Sequence, residues 1–231
     1  GNSAAFFASF SIFSLSAFSP LFIQGALGKT PAQLGMAMVP LSLGWSVGAL
    51  ICGQMIHLLK EKPSALLGSV LLLAGCGMTL SFSISTSLTE FSIVLAIAGL
   101  GMGFVSISTL LIVQNSLSGE NLGIATTSHQ FSRTLGGTIG IGVSGSFVTA
   151  RLSKTMDSLM HSGIYETIPL SISNHIHQNI ENFFRPEIQS FLSKTVQQSL
   201  RDAVAQGVAL VFWASLIMSC ACLFFSCRLP K

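Results

Sequence analysis

Charge is what this sequence has least of. Of its 231 residues, 11 are Lys or Arg and 8 are Asp or Glu, so 8% are charged, against roughly 25% in a soluble domain. Half of the residues are hydrophobic, and mean hydropathy is +0.70. One water-soluble core cannot hide that much apolar surface, so the lipid bilayer is the natural solvent. The net charge of +3 gives no basis for a nucleic-acid partner. Cysteine is sparse too: Cys52, Cys76, Cys220, Cys222 and Cys227 all fall inside apolar runs. Disulfide frameworks and zinc sites place cysteines at set spacings in loops, so these five read as small side chains within membrane helices. The sequence has no phosphate-binding loop and no Ser/His/Asp arrangement with a plausible soluble pocket, so neither an ATPase motor nor a hydrolase has support. No cofactor is implied. His175-Ile176-His177 has the spacing of a strand and no Cys or acid beside it, which favours a solvated loop over a metal site.

What is present in abundance is apolar helix. A spanning helix needs about 20 mainly apolar residues, and six stretches qualify: 4–27, 34–58, 64–83, 91–113, 123–150 and 204–227. The expected fold is therefore an all-α bundle of six transmembrane helices. Short polar joints separate most of the spans. The exception is 151–203, with five basic and five acidic residues, which reads as a long extracytoplasmic loop. Inside it, Ile188, Phe191, Leu192, Thr195, Val196, Ser199, Leu200 and Ala203 recur at helical spacing. They predict an amphipathic helix leading into the last span. The opening segment lacks a basic stretch and reads as a membrane helix already under way rather than a signal peptide. This makes the chain an expected part of a larger protein.

Orientation follows from basic residues in short loops. With six spans both ends share one side, which holds Lys60, Lys62, Arg228 and Lys231, while the other side's short loops carry only Lys29. Long loops translocate largely regardless of charge, so both ends are expected in the cytoplasm, with the protein in the inner membrane.

Helical phase, about 100° per residue, groups the side chains. In the first span Asn2, Phe6, Phe10, Phe13, Ala17, Pro20 and Gln24 share a sector. An aromatic stripe with a polar residue at each end suits a cavity for flat lipophilic molecules. Pro20 would leave a carbonyl unpaired and bend the helix. In the fourth span Ser92, Ala96, Gly99, Gly103, Ser106, Leu110 and Gln114 share a face, and Gly44 and Gly48 repeat the device in the second. Small residues four apart let helices approach closely. In the fifth, Thr126, His129, Gln130, Arg133, Gly137, Gly140 and Ser144 line one face. An arginine facing lipid would cost several kcal/mol, so Arg133 is expected at the bundle interior, a wet cavity or the membrane edge. His129 reads as a hydrogen-bonded packing residue before a proton carrier. None of the six spans holds a carboxylate.

Together these segments resemble one family. Phe18-Ser19-Pro20-Leu21-Phe22-Ile23-Gln24, then Gly28-Lys29-Thr30-Pro31-Ala32-Gln33-Leu34-Gly35 and Val39-Pro40-Leu41, resemble the seventh-to-eighth-helix junction of major facilitator superfamily exporters. The fourteen-span drug:proton antiporters are the closest group. The run Gly123-Ile124-Ala125-Thr126-Thr127-Ser128-His129-Gln130-Phe131-Ser132-Arg133-Thr134-Leu135-Gly136-Gly137 is similar to that group's penultimate helix. The resemblance implies the C-terminal half of such a transporter, built from two three-helix repeats, partnered by an N-terminal half, a small-molecule substrate and protons. It implies a cavity lined by the first and fourth helices, with Phe6, Phe10, Phe13, Gln24 and Gln114 as candidates. His129, Gln130, Arg133, Gly137 and Gly140 become conformational or interface candidates. The sequence departs from the family where the loop after the second helix should read Gly-x-x-x-Asp-Arg-x-Gly-x-Arg. Gly53 aligns, but His57, Leu58, Lys60 and Lys62 stand at the next four positions. That departure and the missing acids motivate the contrasting reading, a non-transporting remnant or membrane interaction protein.

Overall fold

A computed structural model describes residues 1–116, 121–161 and 194–229. These residues form six long helices: α1 (Asn2–Leu21), α2 (Pro31–Leu59), α3 (Glu61–Met78), α4 (Leu88–Asn115), α5 (Leu122–His161) and α6 (Lys194–Cys227). Most of 151–203, including the His175/His177 pair and Ile188, Phe191 and Leu192, lies outside the described residues. There is no strand among the described ones.

Local chemistry sets the helix ends. Pro20 has no N–H to give the carbonyl one turn back. Just beyond it the helix widens into a π turn over Phe22–Ala26, where the Leu27 N–H donates five residues back to the Phe22 carbonyl at 3.0 Å. Gly28, at φ +63°, stops the helix, because glycine alone adopts that conformation without cost. Thr30 then opens α2 with a reciprocal cap: its hydroxyl accepts from the Gln33 N–H, and the Gln33 side chain accepts from the Thr30 N–H. Ser87 and Glu90 repeat the device at α4. Glu61 and Glu90, assigned to loops by sequence, thus sit in the first turns of α3 and α4. Such placement favours an acid, because the N-terminal end of a helix dipole is positive.

The helices pack in two groups joined by α1 and α6. Helix α4 lies between α2 and α3, while α1 lies against α5 and α6. Helix α3 also packs on α6, and α1 makes a smaller contact with α4. Lipid tails are as apolar as the side chains, so burial in lipid drives little of this association, and close approach does most of it. The predicted glycine seams supply that approach. A Cβ on Gly44 or Gly48 would strike the α4 backbone at Ala96 or Leu100, and one on Gly99 or Gly103 would strike α2. Gly68 and Gly75 face α4 in the same way from α3.

Among the described residues, five helical stretches are long and apolar enough to cross a membrane: Asn2–Ala26, Pro31–Leu59, Glu61–Ser81, Leu88–Asn115 and Gln197–Cys227. Helix α5 is not among them: Thr126 to Arg133 is almost wholly polar, and glycine, serine and threonine dilute the apolar residues that follow. Two boundaries depart from the sequence reading. Helix α5 runs 40 residues, about 60 Å at 1.5 Å per residue, twice the roughly 30 Å hydrocarbon layer. It therefore carries helix eleven residues past the expected end at 150. Helix α6 is continuous from Lys194, so residues 194–203 form the first turns of the helix that carries the last span. Ala203, Val204, Val208 and Val211 are buried along it.

Candidate functional site

One face of α5 organises the polar chemistry of the bundle. Ala125, His129, Gly136, Gly137, Gly140, Ser144 and Val148 are buried, a stripe that includes His129, Gly137, Gly140 and Ser144 of the face expected from the sequence. Thr126 and Gln130 are exposed beside it. Three hydrogen bonds fasten the first two turns of α5 to its neighbours. The Asn2 amide on α1 donates to the Ser128 hydroxyl at 2.8 Å, and the Gln114 amide on α4 donates to the Thr126 hydroxyl at 2.9 Å. The His129 Nε2 lies 2.9 Å from the Thr109 hydroxyl. That hydroxyl gives its own proton to the Val105 carbonyl at 2.6 Å, so His129 donates through Nε2–H. With 2% of its surface exposed, His129 has the geometry of a packing residue.

One turn further on, Arg133 leaves the stripe and crosses in front of α1. Its guanidinium lies 5.5 Å from the centroid of the Trp45 ring on α2. Phe13 of α1 meets the same ring edge-on at 6.2 Å, and its other flank rests on Gly137. The Arg133 Nε is buried with no hydrogen-bond partner. A cation held over an aromatic face is attracted by the ring quadrupole, which offsets part of its desolvation. Phe13, Trp45 and Arg133 thus form a wall across α1, α2 and α5. Trp45 was not singled out from sequence. Its signal was the neighbouring glycine, since Gly44 brings α2 close to α4 and fixes where the next side chain points.

The rest of the aromatic stripe divides. Phe10 is 3% exposed, and its backbone lies against Gly140, as that of Phe6 lies against Gly136. The Phe10 side chain is therefore buried and does not line an open wall. Phe6 is half-buried and meets Phe7 edge-on at 5.2 Å. Gln24 is half-buried inside the π turn, away from the Phe13–Trp45–Arg133 cluster. Among the described residues no group of three His, Cys, Asp or Glu side chains converges as metal ligands would.

This is a multi-pass helical membrane protein. A solved structure of a bacterial homolog to the human lysosomal transporter Spinster, in an inward-facing and occupied conformation, superposes with a TM-score of 0.71 at 14% identity. The match covers 99% of this chain and 48% of that one. The model of the Major Facilitator Superfamily matches residues 3–141, and the chain belongs to that family. Its relatives are transporters and not enzymes. The multidrug transporter protein MdtP of Bacillus subtilis (strain 168) is 34% identical over 150 residues, 65% of this chain and 28% of that protein. The tetracycline resistance determinant of Streptomyces rimosus is 29% identical over 154 residues, 64% of this chain and 43% of that protein. The aspyridones efflux protein of Neocamarosporium betae is 29% identical over 142 residues, 61% of this chain and 25% of that protein. In each case the chain spans less than half the length of the relative it matches.

Proposed function

We propose that this chain works as the C-terminal half of a proton-coupled exporter of lipophilic small molecules, in the manner of the fourteen-span antiporters. The observation that carries the reading is the apolar surface that α2 and α5 leave exposed among the described residues. On α2, Met36, Val39, Leu43, Val47 and Leu50 are all exposed at three- and four-residue spacing, one continuous apolar stripe. On α5, Phe131, Leu135 and Ile139 are exposed at four-residue spacing. Two exposed apolar faces on neighbouring sides of one bundle suit contact with a second helical half. The relatives, among them a multidrug transporter and a tetracycline resistance determinant, support export of flat or lipophilic compounds.

The coupling acids and the rest of the cavity then come from the N-terminal half. In this arrangement both ends of the chain are cytoplasmic, in the inner membrane. Lys62, at a position where the family pattern has its arginine, and Glu61 beside it tie the bundle to itself. Glu61 accepts from the Asn115 amide at the end of α4, and the Lys62 ammonium donates to the Leu229 carbonyl at 2.6 Å. The test is co-expression of the chain with the adjacent N-terminal half, followed by dye efflux with and without a proton gradient. Gradient-dependent efflux that needs both halves supports the proposal. No efflux with both halves stably inserted contradicts it.

A further inference from the structure

A second site lies on the far side of the bundle, between α3 and α6. There a cavity of about 500 Å³ opens beside the turn that follows α3. Its floor is aromatic. Phe22 of the π turn, Phe82 and Phe212 pack on one another, with centroids 5.7 to 6.2 Å apart. Ala205 and Ala209, one turn apart on α6, leave the space between, and Trp213 stands at its deep end, 54% exposed. The hydroxyl-bearing residues Ser83 and Ser85 line the opposite end. They belong to the loop joining α3 and α4, and that loop marks the membrane surface.

The charge above this cavity says what would fill it. Arg201 lies one turn before Ala205 on the same side of α6. Its guanidinium rests over Gly28, where the π turn ends; a Cβ there would lie 3.1 Å from the terminal nitrogen. The Arg201 Nε is buried and makes no hydrogen bond. Asp202 follows it in sequence, but about 100° around the helix. An apolar slot, hydroxyl-bearing residues in its lining and a cation one helical turn from Ala205 meet the needs of an acyl chain, a glycerol backbone and a phosphate.

We propose that this cavity binds one anionic phospholipid, with an acyl chain on the Phe22–Phe82–Phe212 floor and its phosphate at Arg201. The site is separate from the Phe13–Trp45–Arg133 wall and holds lipid whether or not the chain transports anything. A single arginine near a membrane surface favours an anionic headgroup by about fivefold.

The test is native mass spectrometry of the full chain released from detergent, after incubation with equal phosphatidylglycerol and phosphatidylcholine of the same acyl composition. The expected result is about fivefold more phosphatidylglycerol retained. Arg201→Gln removes the preference without lowering total lipid retained. Ala209→Trp, which fills the slot, lowers retention of both lipids, and Ala205→Phe provides a second filled variant should the first fail to fold. Ile51→Trp, an equal bulk on exposed α2, leaves retention unchanged. Equal retention of the two lipids by the unaltered chain overturns the proposal. So does undiminished retention in a folded slot-filling variant, the outcome expected if another segment of this chain occupies the cavity.

Discussion

Lys60 stands at φ +60° and ψ 171°, a region essentially reserved for glycine. It is the position at which the family pattern has its loop glycine, so the backbone keeps the turn while the side chain resists it. Lys60→Gly should raise stability by about 1 kcal/mol, read as a higher unfolding midpoint in detergent, and no gain would mean that the turn relaxes. His129 makes a different prediction. Its Nε2–H holds Thr109 inside the bundle, so His129→Leu should cost about 1 kcal/mol. In the assembled transporter His129→Gln, which keeps a donor, should leave the pH profile of efflux in place. A displaced profile would make His129 a proton carrier. For Arg133 and Trp45, a double-mutant cycle with Arg133→Gln and Trp45→Leu should show coupling of about 1 kcal/mol, measured by thermal unfolding. Zero coupling would reduce their contact to proximity.

Between helices, close approach outweighs apolar burial. Gly44→Leu and Gly103→Leu each place a branched side chain where backbone of the facing helix already stands. Each should lose the folded bundle outright, seen as loss of a cooperative melt and of protease resistance. Gly53→Ala, with open space around its Cβ, should be neutral. This seam was legible in sequence because small residues four apart have few uses besides contact. The caps at Thr30 and Ser87 carry a comparably readable signature, Ser or Thr three residues before Gln or Glu. The π turn was half legible. Pro20 announced a bend, but the proline does not dictate how the chain absorbs the lost hydrogen bond. The lengths of α5 and α6 were not legible. A search for apolar spans stops where charge begins, at Arg151 and Asp202, whereas a helix needs only internal hydrogen bonds and continues past the hydrocarbon. Likewise Phe10 and Phe13 share a helical sector, yet Phe10 is buried and Phe13 meets Trp45. Phase around one helix cannot tell which neighbour stands opposite.

For the whole molecule, six helices close a bundle among the described residues but leave α2 and α5 with exposed apolar stripes. A second half packed on those helices would cover them. The acids that proton coupling needs are also missing from the membrane-embedded middle of the described helices. Glu61 and Glu90 sit in first turns, and Asp202 lies in the early turns of α6. The most direct measurement is gradient-dependent dye efflux from cells that make this chain alone, its N-terminal half alone, or both. The account predicts efflux only with both, abolished when the proton gradient is collapsed. Efflux from this chain alone, or none from two stably inserted halves, would contradict it.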